Sequence, residues 1–199
     1  METIMAVMVG LGLSATCGFR VFVPLLGIGI AAHGGHVTLA SGFVWIGTWP
    51  AIIAFGLATC LEVAGYYLPW FDNLLDTIAT PAAVIAGIVA TASMITDVSP
   101  FLQWSLAVIG GGGVAGVVQG GSVVVRGLSS TTTGGIGNPV VSTTELVGSI
   151  LGTILAIVLP ILAILALVLF GVVVYRWVFR EKEKQQTEKA TERTTTSRA

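Results

Sequence analysis

Positions 146–175 contain no charged residue, and a glutamate, Glu145, stands at the entrance to that run. A helix of about 20 apolar residues is long enough to cross a bilayer. Lipid offers the backbone no hydrogen-bond partner, so a spanning segment must satisfy its own peptide groups, as a helix does. The remaining sequence repeats the pattern. Spans are expected at about 3–32, 50–68, 80–96, 101–126 and 143–179, the last bent at Pro160.

The fold class expected is therefore all-α: a polytopic helical membrane protein with about five transmembrane helices, within a range of four to six. Composition agrees, because 54% of the 199 residues are hydrophobic and only 10% are charged. The mean hydropathy of +0.94 lies outside the range of soluble domains. The first segment is over-long and carries Gly18, Arg20 and Pro24. It is expected either to kink and tilt or to be built as two half-helices.

Of nine Lys and Arg residues, only Arg20 and Arg126 precede position 176. The other seven crowd a tail, 179–199 with its approach, too polar to build a core and expected to be disordered beyond a membrane domain at 1–178. Basic residues beside a last span favour the cytoplasmic side, so the C-terminus is expected inside. The N-terminal stretch lacks a basic leader and a small-residue cleavage site, so the first helix is expected to be retained. Trp45, Trp49, Trp70, Trp104 and Trp177 fall near span ends, as an interfacial belt requires. Cys17 and Cys60 lie in apolar runs and read as small hydrophobes.

Gly112, Gly116 and Gly120 form a small-xxx-small ladder on which another helix can pack, a candidate homo-oligomer contact. The four glycines at 110–113 lack the Lys-Ser/Thr of a phosphate loop. His33 and His36 have no third ligand nearby and are read as loop residues, so no metal and no cofactor are expected. No catalytic signature is present, and neither an enzyme nor a nucleic-acid partner is expected. The lipid bilayer is the expected partner, with a small solute or ion as candidate cargo.

A short internal similarity adds to this. SATCGFR, ending at Arg20, aligns with GGSVVVR, ending at Arg126, and EVAG at 62–65 aligns with ELVG at 145–148. Each half holds an arginine followed by a glutamate, compatible with an inverted repeat, an architecture frequent among secondary transporters. Chance or shared packing demands account for so short a match equally well.

Ionisable residues inside a span cost about 2.5–3.5 kcal/mol on insertion scales and face protein or water. Arg20, Glu62, Arg126 and Glu145 are the cases here, and pairing Arg20 with one glutamate and Arg126 with the other neutralises all four. Such pairs either fix helix register or line a wet cavity where the arginines bind an anion. Ser142 and Glu145 fit a capping box, and Asn138-Pro139 offers an alternative helix start. The Gly, Ser and Thr residues at 129–137 read as a loop, with a re-entrant segment as the sharper alternative. Glu62 has no cap to supply at the start of its own helix and is the stronger functional candidate. Asp72 and Asp76 share a face of a short amphipathic helix between Pro69 and Pro81, either solvated or guarding a pore.

The block LSATCGFRVFVPLL, the LPWxDNLLDTIATP block that follows Glu62, and the NPVVSxxE block from Asn138 to Glu145 resemble the domain of unknown function 4126, an uncharacterised family of bacterial membrane proteins. The likeness runs over about residues 5–175, with the motifs in the same order. It implies a membrane protein and supplies no substrate. Tyr66-Tyr67 stands where the family pattern implies Asp-Lys, and Ser122 where it implies a lysine. The motif positions leave Arg20, Glu62, Asp72, Asp76, Arg126, Asn138, Ser142 and Glu145 as site candidates, with Pro139 in the same motif.

Overall fold

A computed structural model of the chain describes residues 2–67, 72–169, 171–172 and 176. The backbone is helical, with no strand among the described residues. Residues Met1–Ile164 form one compact unit; Leu165–Ala199 form a second, whose described residues are helical. The charged tail at 179–199 lies outside the described residues.

The over-long first segment is two half-helices, α1 (Glu2–Cys17) and α2 (Phe22–His33). Pro24 lacks an N–H, so the first turn of a helix accommodates it without losing a hydrogen bond, which favours a start just before it. Gly18 lies where α1 ends, and a Cβ there would fall 2.7 Å from the Ala115 carbonyl oxygen. Neither half has the length of a full span: at 1.5 Å per residue they measure roughly 24 Å and 18 Å. His33 is the last residue of α2 rather than a loop residue, and its Nδ1 lies 3.0 Å from the Gly47 carbonyl oxygen.

A 3-10 turn over Ser41–Gly47 leads to α3 (Trp49–Tyr66), which has Pro50 in its first turn. Next comes α4 (Asp72–Met94), a single helix that continues through Pro81. The short amphipathic helix expected before Pro81 is therefore the first part of a longer one, since a proline removes only one rung of the ladder and membrane helices tolerate that.

The next segment is continuous from Pro100 to Thr133. It comprises α5 (Pro100–Leu106), a π-helical turn over Ala107–Gly112, and α6 (Gly113–Thr133). Gly112 and Gly116 of the glycine ladder meet α4 of the same chain, with Cβ positions 3.0 Å from Ile88 Cγ1 and 3.4 Å from Val84 Cγ2, whereas Gly120 faces open space.

The stretch 129–137 is helix through Thr133 followed by a tight turn rather than a loop. Helix α6 runs through Ser129–Thr133 because Thr131, Thr132 and Thr133 return their hydroxyls to the carbonyls of Leu128 and Ser129. Gly134 and Gly135, at φ +63° and +88°, then reverse the chain within a turn that only glycine enters without strain. Helix α7 (Asn138–Val158) starts at Asn138-Pro139, so Ser142 and Glu145 lie inside it and form no capping box. Pro160 ends α7 at Leu159, and a shorter apolar helix follows over Pro160–Leu169.

Among the described residues, four helical segments are long and apolar enough to cross a membrane: Trp49–Tyr66, Thr77–Met94, Pro100–Thr133 and Asn138–Val158. The expected five become four plus shorter apolar helices because the first segment is broken. Polarity on α7 runs inside out relative to a helix of a soluble bundle. On α7 the buried face carries Ser142, Glu145, Ser149 and Thr153, while Val147, Leu151, Ile154 and Val158 point outward. That arrangement suits a surrounding of lipid, which is as apolar as leucine.

Candidate functional site

Arg20, between α1 and α2, is held in place by backbone bonds as α1 unwinds, its N–H donating to the Thr16 carbonyl at 3.1 Å. Its side chain is only 1% exposed. Nη2 donates to the Ser142 carbonyl on α7 at 2.8 Å and lies 3.7 Å from Glu145 Oε2.

Glu145 is the hub of the site. Arg126, on α6, reaches it side-on, with Nε donating to Oε1 at 3.2 Å and Nη2 donating to Oε2. Ser122, one turn earlier on the same face of α6, donates its hydroxyl to Oε1. A planar guanidinium matches a carboxylate in this forked geometry, which adds direction to the charge attraction. The Tyr66 ring completes the cluster. The Arg20 and Arg126 Cζ atoms lie 4.1 Å and 3.8 Å from its centroid, within cation–π distance.

Glu62 does something else. Its Oε1 accepts the N–H of Val21 at 2.8 Å, and its Oε2 accepts the N–H of Phe22 at 3.2 Å. The first N–H groups of any helix lack an intrahelical partner, and an anion there also meets the positive end of the helix dipole. Glu62 thus caps α2 from a neighbouring helix, a role invisible from the start of its own. Of the one-to-one pairs expected from sequence, Arg126 with Glu145 forms, whereas Arg20 with Glu62 does not. Both arginines converge on Glu145, and Glu62 takes part in no ion pair among the described residues.

Other candidates lie apart. Asn138, in the first turn of α7, donates Nδ2 to Ser130 Oγ at 2.9 Å and so closes the α6–α7 turn. It is about two turns from Glu145, roughly 10 Å along the helix. Asp72 and Asp76 belong to the first turns of α4, and their side chains lie outside the described residues.

Tyr66 and Ser122 join the site although the sequence marked them only as departures from a family pattern. Tyr67 is close by in sequence, its hydroxyl 2.8 Å from Thr143 Oγ1. The polar stripe continues down α7, where Ser149 donates to the Thr16 carbonyl at 3.2 Å and Thr153 to Thr16 Oγ1 at 3.2 Å. The spacing Ser142, Glu145, Ser149, Thr153 is helical and was a readable signal for one buried polar face.

Three buried polar atoms stand out. Arg20 Nε and Nη1 and Ser142 Oγ make no hydrogen bond among the described residues. A buried donor without an acceptor costs about 1–3 kcal/mol, so such groups are uncommon in a folded protein.

The family model described as Domain of unknown function (DUF4126) matches residues 7–180. No curated protein and no solved structure matches the chain.

Proposed function

The chain belongs to the family described as Domain of unknown function (DUF4126), and since that family brings no substrate with it, we propose from the geometry that the protein is a membrane transporter or channel for a small solute or ion. The observation that carries this reading is the placing of Arg20 at a break between two half-helices, against Glu145 and Ser142 of α7. Discontinuous helices whose broken ends meet charged groups inside the membrane are the recurrent binding elements of secondary transporters. The buried polar face of α7 would line the route, with Glu145 balancing the arginines between binding events. The same reading places the protein in a bacterial inner membrane with the basic tail on the cytoplasmic side.

One observation favours a second reading. Three of the four buried charges are well used within the protein, with Glu145 bonded by Arg126 and Ser122 and Glu62 engaged as a cap. A non-transporting scaffold whose ion pairs fix helix register would look the same in these respects.

Cysteine accessibility separates the two. Single cysteines at Gln119, Ser122 and Ser149, in a background with Cys17→Ala and Cys60→Ala, are probed with a membrane-impermeant thiol reagent applied from each side. Labelling that changes side when solute is added is expected for a transporter. Folded protein that stays unlabelled at all three positions would leave a dry scaffold as the function.

A further inference from the structure

We propose that Arg20 is the receptor for a small monovalent anion, a halide or a formate-sized carboxylate, held at the break between α1 and α2. The inference rests on the transport reading for its purpose and on the following geometry for its place.

The two guanidiniums are engaged unequally. Arg126 grips Glu145 side-on through Nε and Nη2. Arg20 comes no nearer to that carboxylate than 3.7 Å and spends its described hydrogen bond on the Ser142 carbonyl. Its Nε and Nη1 donate to nothing among the described residues, although the residue is 1% exposed. The Ser142 hydroxyl, on the residue whose carbonyl Arg20 already holds, is equally buried and also without a partner. Guanidinium N–H groups and a hydroxyl together form a donor set, which selects an acceptor.

The neighbours narrow the class. The Tyr66 ring covers a face of the guanidinium, so a ligand approaches its edge, where the N–H groups point. The N-terminus of α2 is not the receptor, because Glu62 occupies the N–H groups of Val21 and Phe22. A cation is repelled by Arg20, and a divalent anion is opposed by Glu145. Two guanidinium nitrogens and one hydroxyl are few donors, matched to an ion of only a few atoms.

The test uses the purified full chain in detergent. Chloride is titrated against bulky gluconate at constant ionic strength and followed by the chloride NMR linewidth, with formate as competitor. Saturable broadening is expected in the wild type, removed by formate. It should be lost in Arg20→Lys and weakened about five- to tenfold in Ser142→Ala, the effect of one hydrogen bond. A folded wild type without saturable broadening, or a folded Arg20→Lys that broadens as the wild type does, overturns the proposal. If Arg20→Lys does not fold, bromide-soaked wild-type crystals decide. An anomalous peak within hydrogen-bond distance of Arg20 supports the site, and its absence there overturns it. Chloride binding without side-switching of cysteine labelling keeps the anion site and removes transport. Side-switching without chloride binding keeps transport and removes the anion.

Discussion

Glu62 Oε1 accepts the backbone N–H of Val21 at 2.8 Å, which makes a residue of α3 the cap of α2. The half-helix break thereby acquires an N-terminus whose donors are satisfied inside the protein. Glu62→Gln keeps one acceptor oxygen but loses the charge at the helix end, and should lower stability by about 1–2 kcal/mol. Glu62→Ala strands both N–H groups and should lose about 2–4 kcal/mol. Thermal unfolding in detergent, followed by circular dichroism, checks both; a wild-type midpoint for Glu62→Ala would mean that the cap does not hold α2.

Glu145 sits between two guanidiniums, so its neutralisation should be among the most damaging single changes. Glu145→Gln leaves buried positive charge without its counter-ion and should cost about 3–5 kcal/mol. Arg126→Gln in the same chain removes part of that imbalance. The double variant should therefore be more stable than the sum of the single losses predicts, and a double-mutant cycle measures the difference.

Two glycines of the bundle should respond oppositely to alanine. A Cβ at Gly87 would lie 2.6 Å from Ala115 Cβ and 2.9 Å from the Gly111 carbonyl oxygen, backbone that cannot step aside cheaply. Overpacking of this kind costs typically about 1–3 kcal/mol. Gly120 faces open space on α6, and alanine there should be neutral or stabilise by up to about 1 kcal/mol through helix propensity. Resistance to denaturing detergent ranks the pair; equal behaviour would contradict the close α4–α6 approach.

The π-helical turn depends on a partner from α1. A π turn shifts the carbonyls out of their α-helical register, and Ser14 donates its hydroxyl to that of Gly111. Ser14→Ala should destabilise by about 0.5–1.5 kcal/mol. Amide exchange should quicken around 107–112 more than elsewhere on the helix, and uniform exchange would argue against a local role.

Much of the fold was readable because helices in lipid obey local rules. Pro50 marked the start of α3, Asn138-Pro139 offered that of α7 as an alternative to Ser142, and Gly18 with Pro24 marked the break in the first segment, since each acts on its own backbone. The stretch at 129–137 misled for a related reason. Ser and Thr composition suggests a loop, but in a helix the hydroxyls of Thr131, Thr132 and Thr133 satisfy themselves on carbonyls one turn back.

By itself, the sequence determined that this chain is a bundle of apolar helices in a membrane, and that Arg20, Glu62, Arg126 and Glu145 must face inward. Hydropathy and helical period depend on neighbours a turn or two away, so both are written in the residue order. Only the tertiary structure decided which charge meets which: Glu145 receives both arginines, Glu62 goes to the backbone of α2, and Tyr66 supplies its ring to the two guanidiniums. Attraction between opposite charges has no preferred sequence separation. Partners are chosen by where the helices cross, and close packing of residues such as Gly18 and Gly87 sets those crossings.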